Sequence, residues 1–141
     1  MLFNRFLICE PDEQVRQRIQ EVVSLAGHEV VSAPDARAAL DLLTQGNYVC
    51  AFVDIDRLDG NAFEIPQVLR GAAMKGRPRL IAMTARGSQR DFQLAKDSGF
   101  DITLRKPLEA TALAVALAQL RLQPWLRRPP WKTYKTKVPE N

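Results

Sequence analysis

Histidine is almost missing from this 141-residue chain, cysteine is scarce, and no apolar run is long. The single histidine, His28, cannot anchor a metal cluster and reads as a surface or turn residue. Cys9 and Cys50 sit in apolar runs with no histidine nearby. They are expected as buried thiols in a reducing compartment, not as a disulfide or a metal site. The seven glycines form neither a G-x-G-x-x-G nor a G-x-x-x-x-G-K phosphate loop, and no segment repeats. The longest uncharged stretches, Leu42 to Val53 and Ala110 to Leu120, are little more than half the ~20 apolar residues that span a bilayer. Near the N-terminus, Arg5 and Glu10 bracket the four apolar residues Phe6 to Cys9. That stretch is too short and too charged for a signal peptide, so a cytoplasmic location is expected.

What remains is ordinary globular composition, 46% hydrophobic, at a length that suits one domain with one core. The net charge of +4 is unevenly placed. Arg127, Arg128, Lys132, Lys135 and Lys137 face only Glu140 in the last 20 residues, which therefore carry the whole +4. The preceding residues are neutral. The expected division is a domain over 1–121 and a basic, proline- and aromatic-rich tail over 122–141.

Short apolar runs alternate with helix-period segments. Phe6 to Cys9 reads as a strand, and Asp12 caps a helix with Val15, Ile19, Val22 and Val23 on one face. Glu29 to Ser32 is a second strand, followed by a helix opened by Pro34-Asp35. Tyr48 to Val53 is a third strand, and Asn61 to Leu69 is weakly helical with an interruption at Pro66. Arg79 to Met83 is a fourth strand. Ser88 with Asp91 resembles a capping box opening a helix that ends at Gly99. Ile102 to Leu104 is a fifth strand, and Leu108 to Leu122 a last helix. Apolar strands alternating with helices predict an α/β fold, a (βα)5 doubly wound five-stranded parallel sheet.

In such sheets ligands bind beyond the carboxyl ends of the strands. Those ends carry Glu10 and Asp12, Asp54 and Asp56, Thr84, and Lys106. Clustered carboxylates need a cation, and an all-oxygen set favours a hard ion such as Mg2+. A lysine and a threonine hydroxyl can meet phosphoryl oxygens, and an aspartate can act as the nucleophile in phosphoryl transfer. Each residue also has a plain structural reading. Asp54 could cap a turn, Thr84 could be a satisfied hydroxyl, and Lys106 could be a structural ion-pair partner.

Several segments together resemble the receiver domain of response regulators, a CheY-like, flavodoxin-like fold. They are Phe6 to Asp12 (FLICEPD), Gly27 to Pro34 (GHEVVSAP), Asp54, Asp59-Gly60, Ile81 to Ala85 (IAMTA), Gly99 to Asp101 and Lys106-Pro107. The separations of Asp54, Thr84 and Lys106 also fit that family. The resemblance implies that Asp54 is the phosphoacceptor, that Thr84 bonds a phosphoryl oxygen, and that Lys106 pairs with the carboxylate or phosphoryl group. It implies a cis peptide bond between Lys106 and Pro107. It implies Mg2+ held by Glu10, Asp54 and the backbone carbonyl of Asp56, with Asp12 as a further ligand. The implied partners are a histidine kinase or phosphotransfer protein and a downstream target.

Three features depart from the family pattern. Pro11 stands where a second acid is usual; the loop from Asp54 to Gly60 is about two residues short and lacks Met-Pro; Thr103 stands where a switch aromatic is usual. Two functions therefore stay open. One is a single-domain phosphorylation switch in a two-component or phosphorelay pathway. The other is a degenerate receiver that docks a partner without phosphorylation. Neither is an enzyme in the usual sense, beyond removal of its own phosphoryl group. The tail, with Trp125 and Trp131, favours docking over nucleic-acid binding. Leu113, Val115, Ala116, Leu117 and Leu120 offer a candidate homodimer surface.

Overall fold

A computed structural model describes residues 4–56, 61–72 and 76–122. Five strands alternate with helices along them: β1 Arg5–Cys9, α1 Glu13–Leu25, β2 Glu29–Ala33, α2 Ala36–Thr44 and β3 Cys50–Asp54. A 3-10 turn over Asn61–Glu64 leads into α3 Ile65–Gly71, then β4 Arg79–Thr84, α4 Gln89–Ser98, β5 Ile102–Arg105 and α5 Ala110–Gln119. All strand pairs are parallel, in the order β2-β1-β3-β4-β5. This is the doubly wound α/β sheet that the sequence pattern predicts.

Side chains alternate across a strand, so each central strand feeds two cores. Leu7, Cys9, Ala51, Val53, Leu80 and Ala82 face one layer, closed by α2, α3 and α4. Phe6, Ile8, Cys50, Phe52, Ile81 and Met83 face the other, closed by α1 and α5. Cys9 and Cys50 are thus buried thiols on opposite faces of the sheet. His28 lies in the turn before β2, with its ring 4.9 Å from that of Phe6.

Local chemistry sets the element boundaries. Asp12, Asp35 and Ser88 each accept a hydrogen bond from a first-turn N–H, of Gln14, Ala38 and Asp91 respectively. Gly99 ends α4 at φ +116, a conformation in which a Cβ would meet Pro66 Cβ at 2.8 Å.

The structure corrects four expectations. Pro66 does not interrupt a helix; it stands in the first turn of α3, where its missing N–H costs nothing. The third strand begins at Cys50, since Asn47 turns at φ +75 and Val49 N–H closes on the Arg5 carbonyl first. The last helix is shorter at both ends than Leu108 to Leu122. The Leu108 carbonyl accepts from the Arg18 guanidinium instead of a helical N–H. At the other end Arg121 takes φ +59, and Leu122 N–H bonds the Leu117 carbonyl, a Schellman-type closure without glycine. Finally, Leu113, Ala116, Leu117 and Leu120 lie in the core because α5 packs beside α1; of the candidate dimer surface only Val115 is exposed. No helix among the described residues is long and apolar enough to cross a membrane. Asp59, Gly60 and the tail beyond Leu122 lie outside the described residues.

Candidate functional site at the carboxyl edge of the sheet

Strand register assembles the site. Cys9 of β1 pairs with Val53 of β3, so the next residues, Glu10 and Asp54, emerge side by side. This is the point where strand order reverses, because β1 is flanked by β2 and β3. Asp54 pairs with Met83 of β4, which places Thr84 one step further along. Thr84 pairs with Arg105 of β5, and Lys106 follows. The Lys106 N–H donates to the Thr84 carbonyl at 2.8 Å. The Lys106–Pro107 bond is cis, as the resemblance implies. Four of the expected residues, Glu10, Asp54, Thr84 and Lys106, thus come from four adjacent strand ends.

Three of them are buried polar groups: Glu10 is 2% exposed, Asp54 4% and Thr84 0%. Lys106 Nζ lies 2.7 Å from Glu10 Oε1 and 3.3 Å from Asp54 Oδ1, so one ammonium serves two carboxylates. Its contact with Asp54 is also a hydrogen bond, whereas that with Glu10 is close but poorly aligned for one. Glu10 Oε2 accepts from the Asp12 N–H at 3.0 Å. Arg16, which sequence reasoning did not single out, donates to the carbonyls of Glu10 and Pro11 at 2.8 and 2.9 Å and fixes the turn after β1.

The electrostatics follow from this shared cation. Burial pushes the Glu10 carboxyl above the ordinary carboxylate range; Lys106 and the Asp12 N–H oppose that shift, and Asp54 adds to it. Burial also works against the charge on Lys106. Its contacts with Glu10 and then Asp54 outweigh that and hold the ammonium above the usual lysine range. Both directions agree with a pocket in which two negative groups compete for one positive group.

The remaining expected residues are used differently. Asp12 spends Oδ1 on the Gln14 N–H, at 2.8 Å, as the cap of α1. The Asp56 N–H donates to Asp54 Oδ1 at 3.2 Å, while the Asp56 carboxylate turns toward β4. There it accepts from the Thr84 hydroxyl at 2.6 Å and from the Ala85 N–H at 2.7 Å. Thr84 Oγ1 in turn accepts from the N–H groups of Arg86 and Gly87, at 3.1 and 3.3 Å. The Arg105 guanidinium donates to the Gly87 carbonyl at 2.6 Å, and stands 5.9 Å from the centroid of the Phe92 ring. The role of the Asp56 side chain had one sequence signal: a second acid at alternate spacing after Asp54.

These contacts bear on the magnesium ion implied by the resemblance. Mg2+ wants an octahedral set of oxygens, keeps several waters among them and is usually held by one or two carboxylates. Among the described residues no three His, Cys, Asp or Glu side chains converge on one point. Pro11 offers no side-chain oxygen, Asp12 caps a helix, the Asp56 carboxylate is engaged by Thr84 and Ala85, and Glu10 and Asp54 are drawn to Lys106. Glu10 and Asp54 are thus the two described carboxylates that could hold the ion beside the Asp56 carbonyl, and Lys106 competes with it for both.

Comparison with known proteins agrees with this geometry. The model of the response regulator receiver domain matches residues 6–118. Stress response regulator protein 1 of Candida albicans is 33% identical over 79 residues, 56% of this chain and 28% of its own length. The transcriptional regulatory protein CpxR of Escherichia coli is 28% identical over 128 residues, 91% of this chain and 51% of its own length. The chain thus spans about half or less of these curated relatives. The solved structure of the chemotaxis response regulator CheY4 of Vibrio cholerae superposes with a TM-score of 0.74 at 22% identity, covering 84% of this chain and 99% of that one. A crystal structure from Chloroflexus aurantiacus does so at 0.75 and 19%, covering 84% and 98%. A family match over most of the chain, with which a five-stranded parallel sheet and buried Asp54 and Thr84 near Lys106 agree, leads to one conclusion: this chain belongs to the response-regulator receiver family.

Proposed function

We propose that residues 1–121 form a receiver that accepts a phosphoryl group on Asp54 and thereby alters a protein-interaction surface. One observation carries this reading: Asp54 is a buried carboxylate at the switch point with the Lys106 ammonium 3.3 Å from Oδ1. A histidine kinase or phosphotransfer protein is the natural donor class. An Asp54 oxygen attacks the phosphorus, a P–O bond forms, and the bond from phosphorus to the donor nitrogen breaks. The released imidazole keeps that electron pair and is protonated from solvent. Lys106 meets the charge added on Asp54, which is roughly −1.5 to −2 for a phosphoryl group. Thr84 supplies a hydroxyl donor beside it. The basic tail over 122–141 serves as a docking element for a partner protein.

Incubation with phosphoramidate and Mg2+, followed by intact mass, tests this directly. One added phosphoryl group is expected, and none in Asp54→Asn. An unmodified mass for the unaltered protein, together with no stabilisation by beryllium fluoride, would sink the proposal.

A second reading has an observation of its own. Asp56 already engages the Thr84 hydroxyl and the Ala85 N–H, and Lys106 already stands beside both Glu10 and Asp54. These favour a phosphorylation-independent binding module with the same fold. The same mass experiment separates the two.

A further inference from the structure

The loop after β4 presents three consecutive donors to one carboxylate. Asp56 Oδ1 accepts from the Thr84 hydroxyl at 2.6 Å, Asp56 Oδ2 accepts from the Ala85 N–H at 2.7 Å, and Arg86 Nε stands 3.6 Å from Oδ1. A hydroxyl, an N–H and a guanidinium gathered in this way make an anion site. Here the anion is supplied by the chain itself. Arg86 is well exposed, so its contribution is screened; the two short bonds dominate.

The Thr84 hydroxyl decides what this means. A threonine hydroxyl has one hydrogen to give. Its oxygen already accepts from the N–H groups of Arg86 and Gly87, so its hydrogen is the free end, and Asp56 takes it. The same hydrogen cannot also serve a phosphoryl oxygen on Asp54. Asp56 is placed to compete, because its own N–H donates to Asp54 Oδ1 at 3.2 Å and ties the two residues together. Arg105, through the Gly87 carbonyl, pins the far end of the loop.

We propose that the Asp56 carboxylate occupies the anion site formed by Thr84, Ala85 and Arg86, holds the loop after β4 in its anion-engaged form, and competes with a phosphoryl group on Asp54 for those donors. Its competitive part rests on Asp54 being the phosphoacceptor. Asp56 is therefore a positioning residue that sets how readily Asp54 is modified. It makes the loop anion-engaged before any phosphoryl group arrives.

Two measurements on the full chain test this. The first is amide hydrogen exchange at Ala85 in unmodified protein. Asp56→Ala should raise the exchange rate by about tenfold or more, the weight of one charge-assisted hydrogen bond, whereas Asp12→Ala should leave it unchanged. Unchanged Ala85 exchange in both Asp56→Ala and Asp56→Asn overturns the proposal. The second is the rate of phosphoryl uptake from phosphoramidate, read by mass. Asp56→Ala should accelerate it about tenfold, and the gain should shrink to about twofold or less in a Thr84→Val background. An equal gain in both backgrounds would mean simple removal of a negative charge and overturns the competition. No uptake in any variant, with Ala85 exchange raised, refutes the phosphoacceptor reading and leaves the internal anion contact standing.

Discussion

Replacing Lys106 by methionine keeps the aliphatic stem and deletes the one ammonium between Glu10 and Asp54. In the structure that ammonium is 2.7 Å from one carboxylate and 3.3 Å from the other, and both acids are at most 4% exposed. Removing one partner of a buried pair leaves an uncompensated charge and costs about 3–5 kcal/mol at neutral pH. That is a large share of the ~5–15 kcal/mol by which a domain is folded. The cost should depend on pH, with a definite sign. With no cation beside it, the Glu10 carboxyl rises further above its unfolded value of about 4.3. Between those two values the native state binds more protons than the unfolded state, so stability falls as pH rises through the window. The deficit of Lys106→Met should therefore be largest at pH 7 and shrink toward pH 5. The alkaline limb should change too. The raised pKa of Lys106 contributes stability that is fully present below about pH 10.4 and lost as pH rises through its folded value; the variant should lack that loss. Urea denaturation at pH 5, at pH 7 and across the range above about pH 10.4 measures all three. A deficit below about 1 kcal/mol at pH 7, or one equal at pH 5 and 7, would refute the shared-cation account.

Glu10→Gln removes the buried charge whose pKa is raised by burial, and keeps an acceptor for the Asp12 N–H. Stability at pH 7 should change by no more than about 1 kcal/mol, and its decline from pH 5 to 7 should flatten, as urea titrations at both pH values would report. Gly99→Ala places a methyl 2.8 Å from Pro66 Cβ and 2.9 Å from Arg70 Nη2, at φ +116. A loss of about 1–3 kcal/mol is expected by thermal unfolding, and a neutral result would mean the turn can relax. Ser88→Ala removes the 3.0 Å bond to the Asp91 N–H and should cost about 1 kcal/mol in the same assay.

Most of the architecture is legible in residue order. The cap residues Asp12, Asp35 and Ser88 and the apolar strands mark where elements begin, and a parallel sheet leaves little choice about where their ends meet. The site residues Glu10, Asp54 and Thr84 are legible for the same reason: each is the first polar group past, or at, the end of an apolar strand, and Lys106 follows one residue behind Arg105 after the fifth. What the sequence hides is the partner each group selects. Glu10 could have faced solvent; the position of Lys106, with the Asp12 N–H, holds it inward. Asp56 could have offered its carboxylate to a cation; a loop that turns its side chain toward Thr84 decides otherwise. The end of α5 is invisible for a different reason. Its left-handed closing residue is an arginine, which carries no breaker signal.

The two cysteines give this fold a built-in pair of reporters. Cys9 lies under the layer formed by α2, α3 and α4, and Cys50 lies under the layer formed by α1 and α5. Burial pushes the Cys50 thiol well above its usual range, so the reactive thiolate is scarce until that layer parts. Alkylation of each thiol in a variant lacking the other therefore times the opening of one face of the sheet. A motion that loosens the loop after β4 and α4 should register at Cys9 before Cys50. The sheet thus records in covalent form which of its two sides moves first.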